Sequence, residues 1–475
     1  MTTRAELDTI VSTASLVAPI VASTTDIERA LWLEAVADAL DARVDDLVAL
    51  ANEESSLGVP RLTGEVARTT GQLRLFARVV REGSYLDATI DHADPGSTPP
   101  SPDLRRVMRP LGPVAVFAAS NFPFAFSVAG GDTASALAVG CPVIVKAHPG
   151  HPRLSRLTAS IVTEALRNAD APDGVFALVE GVETGIDLVN SPAIEAVGFT
   201  GSLHGGRALF DVASSRPKPI PFYGELGSLN PVLVTPAAVS ADLAAGLAGS
   251  FTLGVGQFCT KPGVVFVPQG AGFEALLADA VGTPQPAPML TPGLAATFAE
   301  GLERLQQRAE TIVGAQQEPG SGTPVVLATT VADVLADPEA LLVECFGPTT
   351  LLVRYESVDE ALAAIAVIGG TLTATLHAAE GDDVADLADA LARVSGRVLF
   401  GGWPTGVAVT WAQQHGGPWP STTSPTHTSV GAAAVRRWVR PVAYQSAPSA
   451  VLPPALRDEN PLGIPQRVDG VLTLP

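Results

Sequence analysis

Hydrophobic positions in the first eighty residues recur at the three- and four-residue spacing of amphipathic helices. The stretch 24–55 predicts one helical region with a buried apolar face, and Thr25 is placed to cap its N-terminus. A second helical pattern, TGEVARTTGQLRLFARVVREG, ends at Gly83. The apolar positions that define the first region are Leu33, Val36, Leu40, Val44 and Leu47.

From residue 113 onward, short apolar runs alternate with helical stretches. The runs PVAVFAAS, PVIVKAHP, VFALVEG and AVGFTGS predict a first series of strands. NPVLVTP, PGVVFVP, PTTLLVRY and GRVLFGG predict a second series between about residues 231 and 425. Strands separated by helices of this length are typical of βαβ units, so the pattern predicts an α/β fold with parallel sheets.

Two segments depart from this alternation. The segment 91–103 is rich in Pro, Ser and Asp and predicts a loop between layers. The region after Pro441 lacks periodicity, and we expect it to wrap another surface rather than to form a core.

The run from Leu111 to Gly131 is uncharged and long enough to span a membrane. However, it contains Pro113, Asn121 and Pro123, and Asp132 follows it directly. Buried parallel strands also read as continuous apolar runs. We therefore interpret this run as part of a buried sheet.

Composition narrows the class of protein. The 475 residues are 47% hydrophobic and 16% charged, which favours a globular protein of more than one domain. The net charge of -20 argues against nucleic acid and anionic membranes as partners. Three cysteines provide no disulfide framework, and the start MTTRAELDTI lacks the apolar core of a secretory signal. We therefore expect a cytoplasmic protein.

The stretch GVGQFCTKPG contains Cys259, one of those three cysteines. Glycines precede Cys259 and a Lys-Pro-Gly turn follows it, whereas a structural cysteine is more typical of a strand or helix interior. A nucleophile needs a thiolate on a bend that a substrate can approach. We predict that Cys259 is a nucleophile and that Cys141, beside an apolar strand, belongs to the core.

Two polar side chains occupy positions suited to acid–base or oxyanion chemistry. AASNFPFAF places Asn121 at the end of a strand, where its amide can donate to an oxyanion. YGELGSLNP places Glu225 between glycines, where the backbone can carry the carboxylate into a cleft. Taken alone, each motif is more typical of an ordinary turn.

A glycine-rich turn suggests a phosphate site. GFTGSLHGG places Gly201, Ser202 and Gly206 where a strand passes into a helix, so that exposed N–H groups face a ligand. Its spacing differs from that of the usual dinucleotide fingerprint. His148, His151 and His204 lack metal-ligand spacing, and we predict no metal site.

Together and in this order, the motifs resemble those of the aldehyde dehydrogenase superfamily along nearly the whole chain. The shared motifs are SNFP, FTGSLHGG, ELGSLNP, GQFCT and ECFGP. The stretch from GPVAVFAASNFP to VIVKAHPGHP, the RTTGQLR helix and RPVAYQ are most similar to the branch that oxidises 2-oxoglutarate semialdehyde (2,5-dioxopentanoate). In that branch KAHP replaces the KPSE of most relatives.

The resemblance implies a role for each catalytic candidate. Cys259 would attack the aldehyde carbon, and Asn121 with the backbone N–H of Cys259 would hold the resulting oxyanion. Glu225 would activate the water that hydrolyses the thioester. Glu344 and Phe346 would contact the nicotinamide ribose and ring, with Cys345 near the site but not a nucleophile.

The resemblance also implies a nicotinamide cofactor, held by Ser120, Lys146 and the Gly201–Gly206 turn. In KPSE relatives the glutamate binds the adenosine ribose, whereas Pro149 stands at that position here. The missing carboxylate removes a repulsion against a 2′-phosphate, and Lys146 and His148 are placed to bind one. We therefore expect NADP, while NAD stays possible.

For the substrate, the resemblance places the helix of EVARTTGQLRLF along the tunnel. A carboxylate remote from the aldehyde needs a cation, and Arg68 is the candidate, with Gln72 on the same helical face. A solvated or core-capping Arg68 is the alternative. Phe122 and Phe126 would line the apolar part of the tunnel.

Other functions would use some of the same residues as the oxidation of 2-oxoglutarate semialdehyde. Other aliphatic aldehydes and semialdehydes, such as succinic semialdehyde or glutaraldehyde, are alternative substrates. A cysteine hydrolase would use Cys259 and Asn121 but needs a histidine partner, and no histidine lies in a comparable motif. A non-catalytic relative would have lost Cys259, Asn121 or Glu225, and all three are present.

The resemblance implies a modified Rossmann cofactor domain over residues 1–227 and an α/β catalytic domain over 228–425. An oligomerisation hairpin near 88–110 interrupts the first, and 426–475 returns to it and adds an oligomerisation tail. The expected assembly is a homodimer or homotetramer.

Overall fold

A computed structural model describes residues 1–314 and 316–475. The helices are α1 (Arg4–Ser23), α2 (Asp26–Asp41), α3 (Val44–Ser55), α4 (Val59–Glu82), α5 (Gly131–Ala138), α6 (Pro152–Asn168), α7 (Val182–Asn190), α8 (Leu203–Ser215), α9 (Ala241–Thr252), α10 (Phe273–Val281), α11 (Pro292–Gln306), α12 (Val331–Ala336), α13 (Pro338–Leu341), α14 (Val358–Ala366) and α15 (Ala385–Val394). The strands are β1 (Ala88–Asp91), β2 (Leu104–Pro110), β3 (Val114–Phe117), β4 (Val143–Lys146), β5 (Phe176–Val179), β6 (Ala196–Thr200), β7 (Phe222–Glu225), β8 (Val232–Val234), β9 (Val264–Pro268), β10 (Ala287–Pro288), β11 (Glu310–Val313), β12 (Ser321–Gly322), β13 (Val325–Thr330), β14 (Thr349–Tyr355), β15 (Thr371–His377), β16 (Ser395–Phe400), β17 (Val439–Gln445), β18 (Gln466–Val468) and β19 (Val471–Thr473).

The region predicted as helical over 24–55 consists of two helices, α2 and α3. Arg43 leaves helical dihedrals (φ -120°, ψ 22°) and its guanidinium pairs with Asp46 in the first turn of α3, so the chain bends there. The Thr25 cap is confirmed, because its hydroxyl accepts from the N–H of Glu28 in a capping box. α4 ends where predicted, with Gly83 in the left-handed region.

The first sheet has the order β5-β4-β3-β6-β7 and is parallel throughout. Phe117 pairs with both Lys146 and Phe199, so the carboxyl ends of β3, β4 and β6 lie side by side. The uncharged run 111–131 contains β3, the middle strand, which confirms its interpretation as buried sheet.

The second sheet has the order β11-β13-β14-β9-β8-β15-β16 and is parallel except for β11. The four strands predicted here are present, whereas β11, β13 and β15 were not predicted. This sheet begins at β8, a few residues after β7 completes the first one. The division into domains at 227/228 and 425/426 stays a prediction.

The third sheet has the order β17-β2-β1-β18-β19 and joins the hairpin near 88–110 to the C-terminal segment. β2 pairs antiparallel with β17, and β1 pairs parallel with β18. The expectation that the tail forms no core is wrong, because apolar side chains of both segments are buried together. These are Ala88, Ile90, Val107, Leu452, Ala455, Leu456 and Ile464.

By length and composition, α1 could cross a membrane: it has 20 residues and a mean hydropathy of 1.4. One face of α1 is nevertheless buried at helical spacing, and part of it packs on β3, β4 and β5. Its buried residues are Leu7, Val11, Ala14, Val17 and Val21. This is the pattern of an amphipathic helix on a globular core.

Candidate active site

Cys259 follows a short left-handed turn. Gly254, Val255 and Gly256 have φ of 57°, 59° and 65°, which is an unusual conformation for a β-branched residue such as Val255. A Cβ on Gly256 would lie 2.2 Å from the carbonyl oxygen of Gly347, so only glycine allows this approach. The turn thereby holds the half-buried Cys259 next to the ECFGP segment.

Asn121 lies on the loop after β3, and α4 fixes this loop. The side-chain amide of Asn121 donates to the carbonyl of Gln257 (3.1 Å), and Arg61 of α4 donates to the carbonyl of Asn121 (2.7 Å). Buried Glu65 accepts from two N–H groups further along the same loop. Asn121 is thereby held beside the nucleophile turn, as the oxyanion role requires.

The backbone N–H of Cys259 donates to no acceptor in the part of the chain that the structure describes. An N–H group left unpaired beside a nucleophile is available to an oxyanion. The predicted oxyanion pair, this N–H and the amide of Asn121, therefore converges on one turn.

Glu225 is the last residue of β7 and is 3% exposed. One carboxylate oxygen lies 2.9 Å from Nε2 of His415, and the other accepts from the hydroxyl of Ser429. Sγ of Cys259 lies 3.7 Å from the same Nε2. Nucleophile, carboxylate and imidazole thus form one cluster, with ligand atoms within 4.8 Å of one another.

His415 was not predicted, because it lies in no motif comparable to that of Cys259, yet the fold brings its ring to the cysteine. His415 is separated from Cys259 by 156 residues and lies in a polar loop after β16, so no local spacing links the two. A cysteine hydrolase triad uses the two ring nitrogens for different partners. Here Nε2 faces both Cys259 and Glu225, and buried Nδ1 has no hydrogen-bond partner. The geometry therefore does not favour a hydrolase.

The cluster shifts both catalytic pKa values. Burial raises the pKa of the Glu225 carboxyl, but His415 and the hydrogen bonds from Ser429 and Cys259 more than offset this and lower it. Burial and the Glu225 carboxylate raise the pKa of the Cys259 thiol well above its usual range, while Arg68 opposes them. The resting pair is a carboxylate beside a thiol, so the thiol needs a base.

Arg68 faces two aromatic rings of the Asn121 loop. Its guanidinium lies 5.5 Å from the ring centre of Phe122 and 5.3 Å from that of Phe126. Its Nε and one terminal nitrogen are buried, and neither has a hydrogen-bond partner in residues 1–314 and 316–475. Gln72 lies on the same face of α4, but its amide donates to the carbonyl of Ala125 (3.3 Å) and so positions this loop.

Several of the predicted cofactor residues lie at the carboxyl edge of the first sheet. Ser120 follows β3, Lys146 ends β4, and Gly201 and Ser202 follow β6, with Ser202 capping α8. A Cβ on Gly206 would lie 2.1 Å from Leu226, so α8 packs closely beside β7. This edge, with a helix N-terminus, is where α/β sheets bind dinucleotides.

Two basic side chains lie on this edge. Lys146 is half-buried, its ammonium forms no hydrogen bond or ion pair among the described residues, and burial lowers its pKa. Burial, aided by His151 and Lys146, lowers the pKa of His148 to about 3. Nδ1 of His148 accepts from the N–H of Gly150 (3.0 Å). His148 is therefore neutral and can offer only its Nε2–H to a ligand.

The segment 344–348 lies against the nucleophile turn. Glu344 is exposed and accepts from the N–H of Ser228 (3.2 Å), and Phe346 is half-buried. Cys345 is buried, in agreement with its predicted non-nucleophilic place.

Lys261, whose direction the sequence left open, donates from a buried ammonium to the carbonyls of Cys345 and Thr349. Cys141 is fully buried in the core, as predicted.

Two relatives match most of the chain. Alpha-ketoglutaric semialdehyde dehydrogenase 2 from Azospirillum brasilense is 47% identical over 458 residues, 93% of this chain and 87% of the relative. Alpha-ketoglutaric semialdehyde dehydrogenase from Acinetobacter baylyi is 41% identical over 463 residues, 95% of this chain and 88% of the relative.

Solved structures of low sequence identity share the fold. A mutant of aldehyde dehydrogenase C from Pseudomonas syringae, in complex with NAD+ and octanal, has a TM-score of 0.78 at 22% identity, covering 94% of this chain and 90% of that one. Bradyrhizobium japonicum Proline Utilization A has a TM-score of 0.80 at 22% identity over 94% of this chain, which spans only 46% of that longer chain. The model of the Aldehyde dehydrogenase family matches residues 1–439, and this protein belongs to that family.

Proposed function

We propose that this protein oxidises 2-oxoglutarate semialdehyde to 2-oxoglutarate with NADP as the hydride acceptor. The names of the two relatives at 47% and 41% identity support the substrate. The observation that carries the assignment within this chain is the half-buried Arg68, two of whose guanidinium nitrogens are buried near the nucleophile without a hydrogen-bond partner among the described residues.

A buried cation without hydrogen-bond partners is costly unless a ligand completes it. Burial lowers the pKa of Arg68, while the charges of Glu65, Cys259 and Glu225 act in the opposite direction. Arginine binds a carboxylate through two parallel N–H groups, which suits the carboxylate end of a short semialdehyde. The rings of Phe122 and Phe126 beneath the guanidinium suit the methylene carbons.

The first chemical step belongs to Cys259. Its sulfur attacks the aldehyde carbon and forms a tetrahedral adduct, and the thiol proton passes to a base. The amide of Asn121 and the unpaired N–H of Cys259 stabilise the oxyanion of that adduct. The Glu225 carboxylate can take the proton directly, whereas the imidazole of His415 can take it only in the tautomer that leaves its Nε2 unprotonated.

Glu225 then acts on water. Its lowered pKa keeps the carboxylate ionised, so it can accept a proton from the water that attacks the thioester on Cys259. The hydrogen bonds from His415 and Ser429 fix the orientation of this carboxylate.

A nicotinamide dinucleotide fits the carboxyl edge of the first sheet. The edge offers the capped start of α8, the unpaired ammonium of Lys146 and the hydroxyl of Ser120. Glu344 and Phe346 border the nucleophile turn from the other side. A nicotinamide held by these residues would supply the hydride acceptor for the adduct on Cys259.

The residues at this edge favour NADP over NAD. No carboxylate stands at the exposed Pro149, and Lys146 supplies an unpaired positive charge for a 2′-phosphate. Neutral His148 adds one N–H donor and no charge. NAD lacks the phosphate that this lysine would bind and finds no acceptor for its ribose hydroxyls at Pro149.

We expect kcat/KM at saturating aldehyde to be higher with NADP than with NAD. In Pro149→Glu, the new carboxylate should repel the 2′-phosphate and lower kcat/KM for NADP about tenfold or more, with little change for NAD. Steady-state kinetics of both proteins with both cofactors measure this. A wild-type preference for NAD of tenfold or more contradicts the proposal.

The substrate assignment predicts a selective effect of Arg68→Ala. Loss of the guanidinium should remove about 1.5–3 kcal/mol of transition-state binding for 2-oxoglutarate semialdehyde and little for hexanal, which lacks a carboxylate. kcat/KM for the two aldehydes measures the difference. Arg74→Ala is the matched control, because Arg74 lies on the same helix but pairs with Asp38 and Asp41 at the outer surface. An equal loss on both aldehydes would assign Arg68 to packing.

Three further properties complete the proposal. The proposed location is the cytoplasm, which the three free cysteines support. A homodimer or homotetramer assembled through the hairpin and tail of the third sheet is the expected state. Succinic semialdehyde and glutaraldehyde are the expected secondary substrates.

A further inference from the structure

The cluster of Cys259, His415 and Glu225 is also a set of metal ligands. A thiol sulfur, an imidazole nitrogen and a carboxylate oxygen lie within 4.8 Å of one another. Zinc binds these three donor types, whereas magnesium and calcium prefer oxygen alone. Neither the predicted oxidation nor the sequence motifs require a metal.

The separation of sulfur and nitrogen already matches a tetrahedral site. Zn–S and Zn–N bonds of ordinary length place sulfur and nitrogen about 3.6 Å apart. Sγ of Cys259 and Nε2 of His415 are 3.7 Å apart. Nε2 and the Glu225 oxygen are 2.9 Å apart and would separate to about 3.3 Å, which a small side-chain movement provides.

Charge and orientation also fit a divalent ion. A thiolate and a carboxylate together balance two positive charges, and a neutral imidazole completes the set. The Ser429 hydroxyl fixes the second oxygen of Glu225, as outer partners do in metal sites. Nδ1 of His415, however, lacks the acceptor that metal-bound histidines normally have, so binding should be weaker than at a structural site.

We propose that Cys259, His415 and Glu225 form a binding site for one zinc ion, which inhibits the enzyme reversibly. The thiol loses its proton to solvent when the Zn–S bond forms, and the Nε2 proton of His415 passes to Nδ1, so that the Nε2 lone pair exchanges its hydrogen bond to Glu225 for a bond to zinc. The ion then covers both the nucleophile and the base, so inhibition is competitive with the aldehyde. This inference does not depend on which aldehyde is the substrate.

The test measures binding directly, with no aldehyde or cofactor present. In thiol-free buffer the full-length protein should bind one zinc ion per chain, measured by competition with a chromogenic chelator. Cobalt should give a sulfur-to-metal charge-transfer band in the near ultraviolet. Aldehyde oxidation should fall with zinc occupancy and return after EDTA.

Three variants locate the site. Cys259→Ser should lose the cobalt charge-transfer band, and His415→Ala should bind zinc about 100-fold more weakly or worse. Cys141→Ala should keep the cobalt band and the zinc affinity, because this thiol is buried in the core and is not part of the cluster. Thermal unfolding of each variant without metal verifies that it is folded. If His415→Ala does not fold, the conservative variant Cys259→Ser still tests the ligand set.

Several results would overturn the inference. These are absence of stoichiometric zinc binding, a cobalt band that persists in Cys259→Ser, or unchanged zinc affinity in folded His415→Ala. Zinc bound only at surface sites, in several ions per chain and without inhibition, would count against it equally. None of these results would alter the assignment of aldehyde oxidation, which is measured in the presence of EDTA.

Discussion

Replacement of Cys259 by alanine is expected to reduce aldehyde oxidation by about four orders of magnitude or more, because no other group in the cluster can form the covalent adduct. The two other cysteines are buried, Cys141 in the core and Cys345 within the ECFGP segment. Binding of the dinucleotide should stay near normal, since its predicted contacts lie on the sheet edge. Formation of reduced cofactor and a fluorescence titration measure the two properties.

Cys141→Ala serves as the matched control for this prediction. It removes a thiol of the same kind that is fully buried away from the cluster, and it should keep most of the activity. Substantial reduction of cofactor by Cys259→Ala would contradict the covalent mechanism. Activity without any cofactor would instead favour a hydrolase.

Glu225→Gln is expected to slow turnover by about two to four orders of magnitude while the acyl enzyme accumulates. The amide keeps the size of the side chain and can still accept a hydrogen bond from His415, but it cannot take a proton from water. Rapid mixing should show a burst of one reduced cofactor per active site. Mass spectrometry of the intact protein should show the acyl group on Cys259.

The rate of this burst shows whether His415 or Glu225 takes the proton of the thiol. If His415 takes the thiol proton, the burst in Glu225→Gln stays fast, and His415→Asn slows the burst itself. If Glu225 serves both steps, the burst in Glu225→Gln is slow as well. Full turnover by Glu225→Gln without any accumulated acyl enzyme would contradict the role of Glu225 in deacylation.

Features that depend on nearby residues could be predicted from the sequence. The Thr25 cap, the end of α4 at Gly83 and the buried strand β3 each follow from neighbouring side chains or backbone preferences. By contrast, β15 was missed because it alternates threonine with apolar residues. All its threonines are fully buried, and the hydroxyls of Thr371 and Thr373 are hydrogen-bonded, which lets them occupy a core strand.

Features that depend on distant contacts could not be predicted. His415 meets Glu225 across 190 residues, and the sequence contains no spacing that records this contact. The helical periodicity placed Arg68 and Gln72 on one face, but only the packing shows that Gln72 binds the backbone while Arg68 stays unpartnered. The sequence motifs could predict the nucleophile and its carboxylate because each lies in a distinctive local motif of its own.

The parallel pairing of β1 with β18 has a consequence for synthesis of the chain. Ala88 pairs with Gln466, so the edge of β1 that faces β18 stays unpaired until the ribosome has synthesised almost the whole chain. Contacts of such sequence separation form late, and a strand edge left open meanwhile is a site for pairing with other nascent chains. We therefore expect truncation of the last ten residues to lower soluble yield more than activity per folded molecule.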